Sequence, residues 1–204
     1  MPGAVVSKVV MVEASENCAA AWVRVKIDVV ITDHHECRLP LPEAVAVVNP
    51  HRPDGGYPHM NLSGVGVAFK LAAALCGNQE QVLADYADMV CLGTVADVMM
   101  LQGENRVFVA RGLQSLRSTR RPGFAALMRE SGCASEAVSA STIGYNLAPR
   151  INAAGRMGQI DLAVDLFLTD DPEKAEALAK ALCDLNRQRQ SVESGIYDQA
   201  VSML

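Results

Sequence analysis

The chain alternates short, uninterrupted apolar runs with longer stretches of helical period. Lys8 to Val12 reads as a short strand, continuously apolar from Val9. Ser15 is placed to cap a helix running through Ala19–Trp22 to about Val25. Ile27–Thr32 (IDVVIT) is β-branched except for Asp28, the pattern of a strand covered on both faces, and it ends abruptly in Asp33-His34-His35-Glu36. Ala44–Val48 (AVAVV) is a second such run. A loop rich in Pro and Gly follows from Asn49 to Ser63, then a helix over 64–76 that Gly77-Asn78 stops.

Further helices are expected from Gln79 into Met89, over Glu104–Leu116, and from Phe124 to Arg129 after the break at Arg121-Pro122-Gly123. Ala140–Gly158 carries several Gly and a Pro, so it reads as mostly loop with one helical turn. Ile160–Leu168 is amphipathic, with Ile160, Val164 and Leu168 on one face. Asp170-Asp171-Pro172 joins a carboxylate cap to a proline at the first helical position. The helix it starts runs to the C-terminus and spans about 45–50 Å. The pattern predicts an α/β fold with a largely parallel sheet flanked by helices, followed by a long C-terminal connecting helix. There is no internal repeat and no low-complexity tract.

Composition narrows the class. Of 204 residues, half are hydrophobic and a fifth charged, which describes a globular chain. Aromatics are 4%, so Ala, Val, Leu, Ile and Met must build the core. No apolar run approaches the roughly 18–20 residues of a membrane span, and MPGAVVSKVV lacks the flanks of a signal peptide. Six cysteines form no C-x-x-C pair and sit mostly in apolar stretches, which reads as buried free thiols in a reducing cytoplasm. A net charge of −5 excludes a globally basic nucleic-acid coat. It does not exclude a nuclease, because a carboxylate-built metal site lowers net charge while its cations attract phosphate.

Two places hold candidate chemistry. Asp33, His34 and His35 lie at the carboxyl end of a predicted strand, where open α/β sheets bind ligands. Imidazole with carboxylate suits Mn²⁺, Zn²⁺ or Fe²⁺; the alternative is a polar loop whose histidines face water. Asp97 is the one charge in VCLGTVADVMML. A buried lone carboxylate needs a partner or a metal; the alternative is a helix cap or an exposed turn. A third feature is local: Arg106, Arg111, Arg117, Arg120, Arg121 and Arg129 occur with no acid between them. That is either a phosphate-contacting patch or a solvated helix face. Phe108 and Phe124 in this stretch read as core residues, not stacking platforms.

ITDHHE, NPHRPDGGYP, SGVGVAFKLAAAL, CLGTVADVMML and LAPRINAAGRMGQIDLAVDLFLTDDPEKAEALA, in this order, closely resemble the DHH phosphoesterases. Within that family the resemblance is to the bacterial exonucleases specific for single-stranded DNA, and it covers the chain from about Ile27 onward. It implies a metal-dependent phosphodiesterase, usually with two Mn²⁺ or Mg²⁺ ions, that hydrolyses single-stranded DNA from the 5′ end in repair and recombination. By the same resemblance His34, His35 and Asp97 are metal ligands, and Asp33 orients the histidine pair. Arg150, Asn152 and Arg156 match the segment that lies against the cleft and suit the 5′-phosphate or DNA backbone. A salt-bridged domain junction is the alternative for these arginines.

The chain also departs from the family. It is expected to begin after the Asp-rich DxDG-like turn. At the place of the metal-bridging Asp it has Val12-Glu13-Ala14-Ser15. Either Glu13 substitutes as a ligand, on a longer arm, or this part has diverged. The expected organisation is a partial catalytic domain over 1–135, then a helical segment and connecting helix over 136–204 leading to an absent C-terminal domain. The expected partners are single-stranded DNA and other repair proteins, with no membrane. Two other readings stand beside the exonuclease: a truncated or degenerate inactive copy, and a phosphodiesterase acting on small nucleotides.

Overall fold

The structure is a computed structural model that describes residues 29–37 and 39–203. The predicted strand at Lys8–Val12, the helix after Ser15, Glu13 and Cys18 lie outside the described residues.

Two β-branched runs make a small parallel sheet. Strand β1 (Val30–Thr32) pairs with β2 (Ala46–Val48) in the register Val30↔Ala46, Ile31↔Val47, Thr32↔Val48. The ladder continues past both ends, with Val45 N–H donating to the Val29 carbonyl and Asp33 N–H to that of Val48. Because the pair is parallel, the residues that follow each strand, Asp33 and Asn49, leave the sheet at the same edge.

The remaining regular elements among the described residues are helices. Helix α1 (Gly64–Cys76) is capped by Ser63, whose hydroxyl accepts from Gly66 N–H, and closes on Gly77 at φ +67°. Helix α2 (Gln79–Ala96) starts at an Asn78 cap and runs unbroken through the apolar stretch expected to follow it. Helix α3 (Gly103–Arg117) folds back on α2. Gly112 makes that contact: a Cβ there would fall inside the Ala87 carbonyl and the Cys91 side chain. Helix α4 (Pro122–Glu130) begins, as the sequence predicts, on its proline. Phe108 and Phe124 are both buried.

The predicted loop over Ala140–Gly158 is instead helical. A turn at Ala140–Thr142 with a Ser139/Thr142 capping box passes into a π-helical turn at Ile143–Leu147, then into α5 (Ala148–Arg156). Pro149 falls in the first turn of α5, where its missing N–H costs nothing. Ile143, Leu147, Ala153 and Ala154 are fully buried, so packing overrides the glycines that argued for a loop.

Helix α6 (Ile160–Leu168) forms as predicted, but Ala163 and Leu166 are its buried residues. Ile160, Val164 and Leu168 stand on its exposed side. Helix α7 (Pro172–Ser202) is capped by Asp171, which accepts from Glu173 and Lys174 N–H. It buries Ala175, Ala179, Leu182 and Asn186 at helical spacing. From Arg187 onward it projects for about 24 Å, with Val192, Ile196 and Tyr197 exposed.

One core cluster joins residues from Cys91 to Leu185, and a second gathers α1, the start of α2 and Phe108. Burial, with the Asp88 charge adding, pushes the Cys91 thiol up to about 12, which leaves it inert. No helix among the described residues is long and apolar enough to cross a membrane.

Candidate metal centre

The centre grows from the two loops that leave the parallel strands together. Asp33 Oδ1 accepts from the His34 amide at 2.7 Å, the His35 amide at 3.3 Å and the His35 ring Nδ1 at 2.7 Å. Burial pushes the Asp33 carboxyl up, but these hydrogen bonds outweigh it and hold the group below its ordinary value. An ionised Asp33 keeps the proton on Nδ1 of His35 and leaves Nε2 as a free lone pair. Asn49, buried at the end of β2, ties the second loop to the first. Its Nδ2 donates to the His35 carbonyl at 2.9 Å, and its Oδ1 accepts from His51 N–H at 2.8 Å.

His34 turns the other way. Its ring lies against Gly64 at the start of α1, where an added Cβ would stand 3.3 Å from His34 Cδ2. Its Nε2 faces Asp97 Oδ2 at 3.5 Å. Asp97 is the C-cap residue of α2, and the α2 chain turns at Val98 through φ +56°, a conformation a β-branched residue seldom adopts. The helix ends that carry Gly64 and Asp97 are joined by the buried Ser63 and Thr94 hydroxyls, 3.0 Å apart. Asp97 is not the buried carboxylate of the first reading: its side chain is 44% exposed in the turn that ends α2, where it faces the His34 imidazole.

These donors fit a divalent cation. Asp33, His34 and His35 offer ligand atoms all within 4.8 Å of one another. The 3.5 Å between His34 Nε2 and Asp97 Oδ2 is too long for a good hydrogen bond. It suits two ligands of one ion with bonds of roughly 2.0–2.2 Å. His34 is the best-fixed donor, with 17% of its side chain exposed against 54% for His35. Gly64→Ala is therefore expected to displace the His34 ring by a few tenths of an ångström. Mn²⁺ binding measured by calorimetry should weaken by less than the roughly 100-fold that a full ångström can cost, with the melting temperature nearly unchanged. Unaltered Mn²⁺ affinity would show that this seat does not position His34.

The other expected residues fall elsewhere. Arg150 turns inward, its guanidinium donating to the Asn146 carbonyl and side chain and to Cys183 Sγ, so it braces α5 against α7. Asn152 and Arg156 are exposed on the same helix. Arg121 is drawn out of the arginine patch by Asp88, a carboxylate with 5% exposure, at 3.0 Å, and Arg129 pairs with Glu176. Asn49 and Gly64 were not singled out from the sequence. The usable signals were that Asn49 ends a parallel strand as Asp33 does, and that Gly64 follows a capping serine.

A parallel pair of strands that ends in a carboxylate and two imidazoles, one of them facing a second carboxylate at a distant helix end, defines an α/β protein with a candidate metal site. Residues 6–94 match the DHH family, N-terminal domain. The chain is similar to the single-stranded-DNA-specific exonuclease RecJ of Bacillus subtilis, with 44% identity over 87% of this chain and 22% of the relative. It is also similar to the RecJ of Escherichia coli, with 37% identity over 87% of this chain and 33% of the relative. Among solved structures, RecJ from Thermus thermophilus in complex with Mn²⁺ superposes with a TM-score of 0.74 at 34% identity, over 85% of this chain and 26% of that one. An exonuclease RecJ bound to manganese gives 0.73 at 36% identity, over 86% and 44%. The chain thus spans about a fifth to a third of the length of the curated relatives it matches.

Proposed function

We propose that this chain is the metal-bearing part of a RecJ-like exonuclease that hydrolyses single-stranded DNA from 5′ to 3′ in the cytoplasm, in DNA repair and recombination. The observation that carries the reading is the convergence of Asp33, His34 and His35 with Asp97 at the carboxyl edge of the sheet. The similarity to RecJ exonucleases supplies the substrate class, and the Mn²⁺ and Mg²⁺ complexes of similar structures supply the ions.

In this reading His34, His35 and Asp97 hold the metal, with Glu13 as a further ligand, and Asp33 fixes the tautomer and direction of His35. Bound Mn²⁺ or Mg²⁺ would lower the pKa of a water and neutralise charge on the scissile phosphate. Asn152 and Arg156 contact the DNA backbone, with Arg150 bracing their helix. Residues 1–135 form the catalytic part, and 136–204 form the helical segment and the connecting helix. Other repair proteins are partners of the whole enzyme.

The test is release of mononucleotides from 5′-labelled single-stranded DNA with Mn²⁺. Release that His34→Ala abolishes, and that duplex DNA does not support, is the expected result. A chain that binds one equivalent of Mn²⁺ and cleaves nothing would point to the inactive-copy reading. That reading draws on the small number of clustered ligands among the described residues.

A further inference from the structure

The described arginines fall into two groups. Arg52, Arg121, Arg129, Arg187 and Arg189 each pair with a carboxylate, and Arg150 is hydrogen-bonded inward. Arg106, Arg111 and Arg117 on α3 are exposed and make no ion pair or side-chain hydrogen bond among the described residues, and neither do Arg120 just beyond the helix and Arg156 at the end of α5.

Their placement is ordered. At about 100° per residue, the three α3 arginines lie within an arc of about 140°. Asn105, Phe108, Val109, Gly112 and Leu116 bury the opposite face. Exposed Val107, Ala110 and Gln114 fill the spaces between them. No acid occurs from Asn105 to Arg129, and Glu104 at the head of the helix is engaged by Lys70 and Tyr57. Glu136, on the short turn packed beside α3, pairs with none of the arginines.

The stripe also has a direction. Cys91 of α2 meets Val109 of α3, while Arg121 beyond the end of α3 reaches back to Asp88 and Asp85 nearer the start of α2, so the two helices are antiparallel, and α3 begins a few residues after Asp97. Arg106 is thus at the metal-centre end. Arg111 and Arg117 follow at about 7.5 and 9 Å further along the axis, steps on the order of one or two nucleotides of an extended strand.

We infer that the outer face of α3 is a backbone track for the single-stranded nucleic acid whose end lies at the metal centre, with Arg106, Arg111 and Arg117 taking successive phosphates. The inference rests on the exonuclease reading and assigns that substrate a path. An acidic peptide would satisfy the charge, but the even axial spacing and the lack of apolar anchors beyond Val107 favour a phosphate backbone.

Fluorescence anisotropy with labelled oligo-dT of 5 and of 20 nucleotides, in EDTA, tests it. The triple variant Arg106→Gln/Arg111→Gln/Arg117→Gln is expected to bind the 20-mer about 100-fold more weakly near 0.1 M salt. Its plot of log affinity against log salt should be shallower by about 2, at roughly 0.7 per phosphate contact. The 5-mer, which is long enough to reach all three arginines from the metal centre, should weaken as well, and the Mn²⁺ affinity should stay unchanged. Lys180→Gln, an exposed cation on α7, controls for bulk charge and should leave the slope alone. Circular dichroism checks that each variant is folded. Unchanged 20-mer affinity and slope in a folded triple variant would overturn the track alone. Failure of the wild-type chain to bind either oligomer would overturn the exonuclease reading beneath it. Binding of poly-Glu with the same arginine dependence, in place of oligo-dT, would make the face an acidic-peptide site and overturn the inference.

Discussion

His34→Ala is expected to remove Mn²⁺ binding while leaving the fold intact. The ring is the most enclosed of the candidate ligands and is seated on Gly64 with Nε2 toward Asp97. Loss of an outer hydrogen-bonding partner of a metal ligand costs roughly 10–100-fold in affinity, so loss of this donor should exceed 100-fold in a calorimetric titration. The melting temperature in EDTA should barely move, because His34 belongs to neither core cluster. His35→Ala should cost less, since that ring is more exposed and its one side-chain hydrogen bond is to Asp33. A His34→Ala protein that still binds Mn²⁺ with wild-type affinity would remove the metal centre from this place.

The second large effect is on stability. Gly112→Ala should destabilise the protein by about 3 kcal/mol or more, read as a lower urea midpoint. The new methyl meets a backbone carbonyl on one side and the buried Cys91 on the other, and neither can rotate away. Separating α2 from α3 to admit it would open the contact that shields Cys91, Val109 and Leu116. Gly195→Ala is the matched comparison. That glycine lies on the exposed part of α7 with open space around it. Its replacement should stabilise the helix by up to about 1 kcal/mol, through lower backbone entropy in the unfolded chain. Equal effects at the two sites would mean that α2 and α3 are not in close contact.

What was legible in the sequence was local chemistry. A β-branched run ending in Asp-His-His, Gly77 after a helix, and Asp171-Pro172 each act over a few residues; the helix stop and the helix start form as predicted, and the run forms a strand at Val30–Thr32 but without the predicted cover on both faces, Val30 being 48% exposed. What was hidden depends on partners far along the chain. Nothing near Arg121 announces Asp88, and nothing near Arg150 announces Cys183, so an arginine count overstated the free charge. The helical path of 140–156 was masked because glycine and proline frequencies describe exposed chain, whereas this segment is held by a core on one side. The face of α6 was misjudged for a related reason. Large apolar residues marked its solvent side, and the smaller Ala163, with Leu166, met the core.

The Ser63–Thr94 hydroxyl bridge carries one more consequence. It fastens the seat of His34 to the helix end that bears Asp97, two proposed ligands roughly 60 residues apart along the chain. An unfolded polypeptide cannot offer both to one ion, so a cation held by both acts as a cross-link closing a long loop. Its binding free energy is then drawn from the same reservoir as the folding free energy. The mineral supply of the cell and the persistence of the fold become one thermodynamic variable.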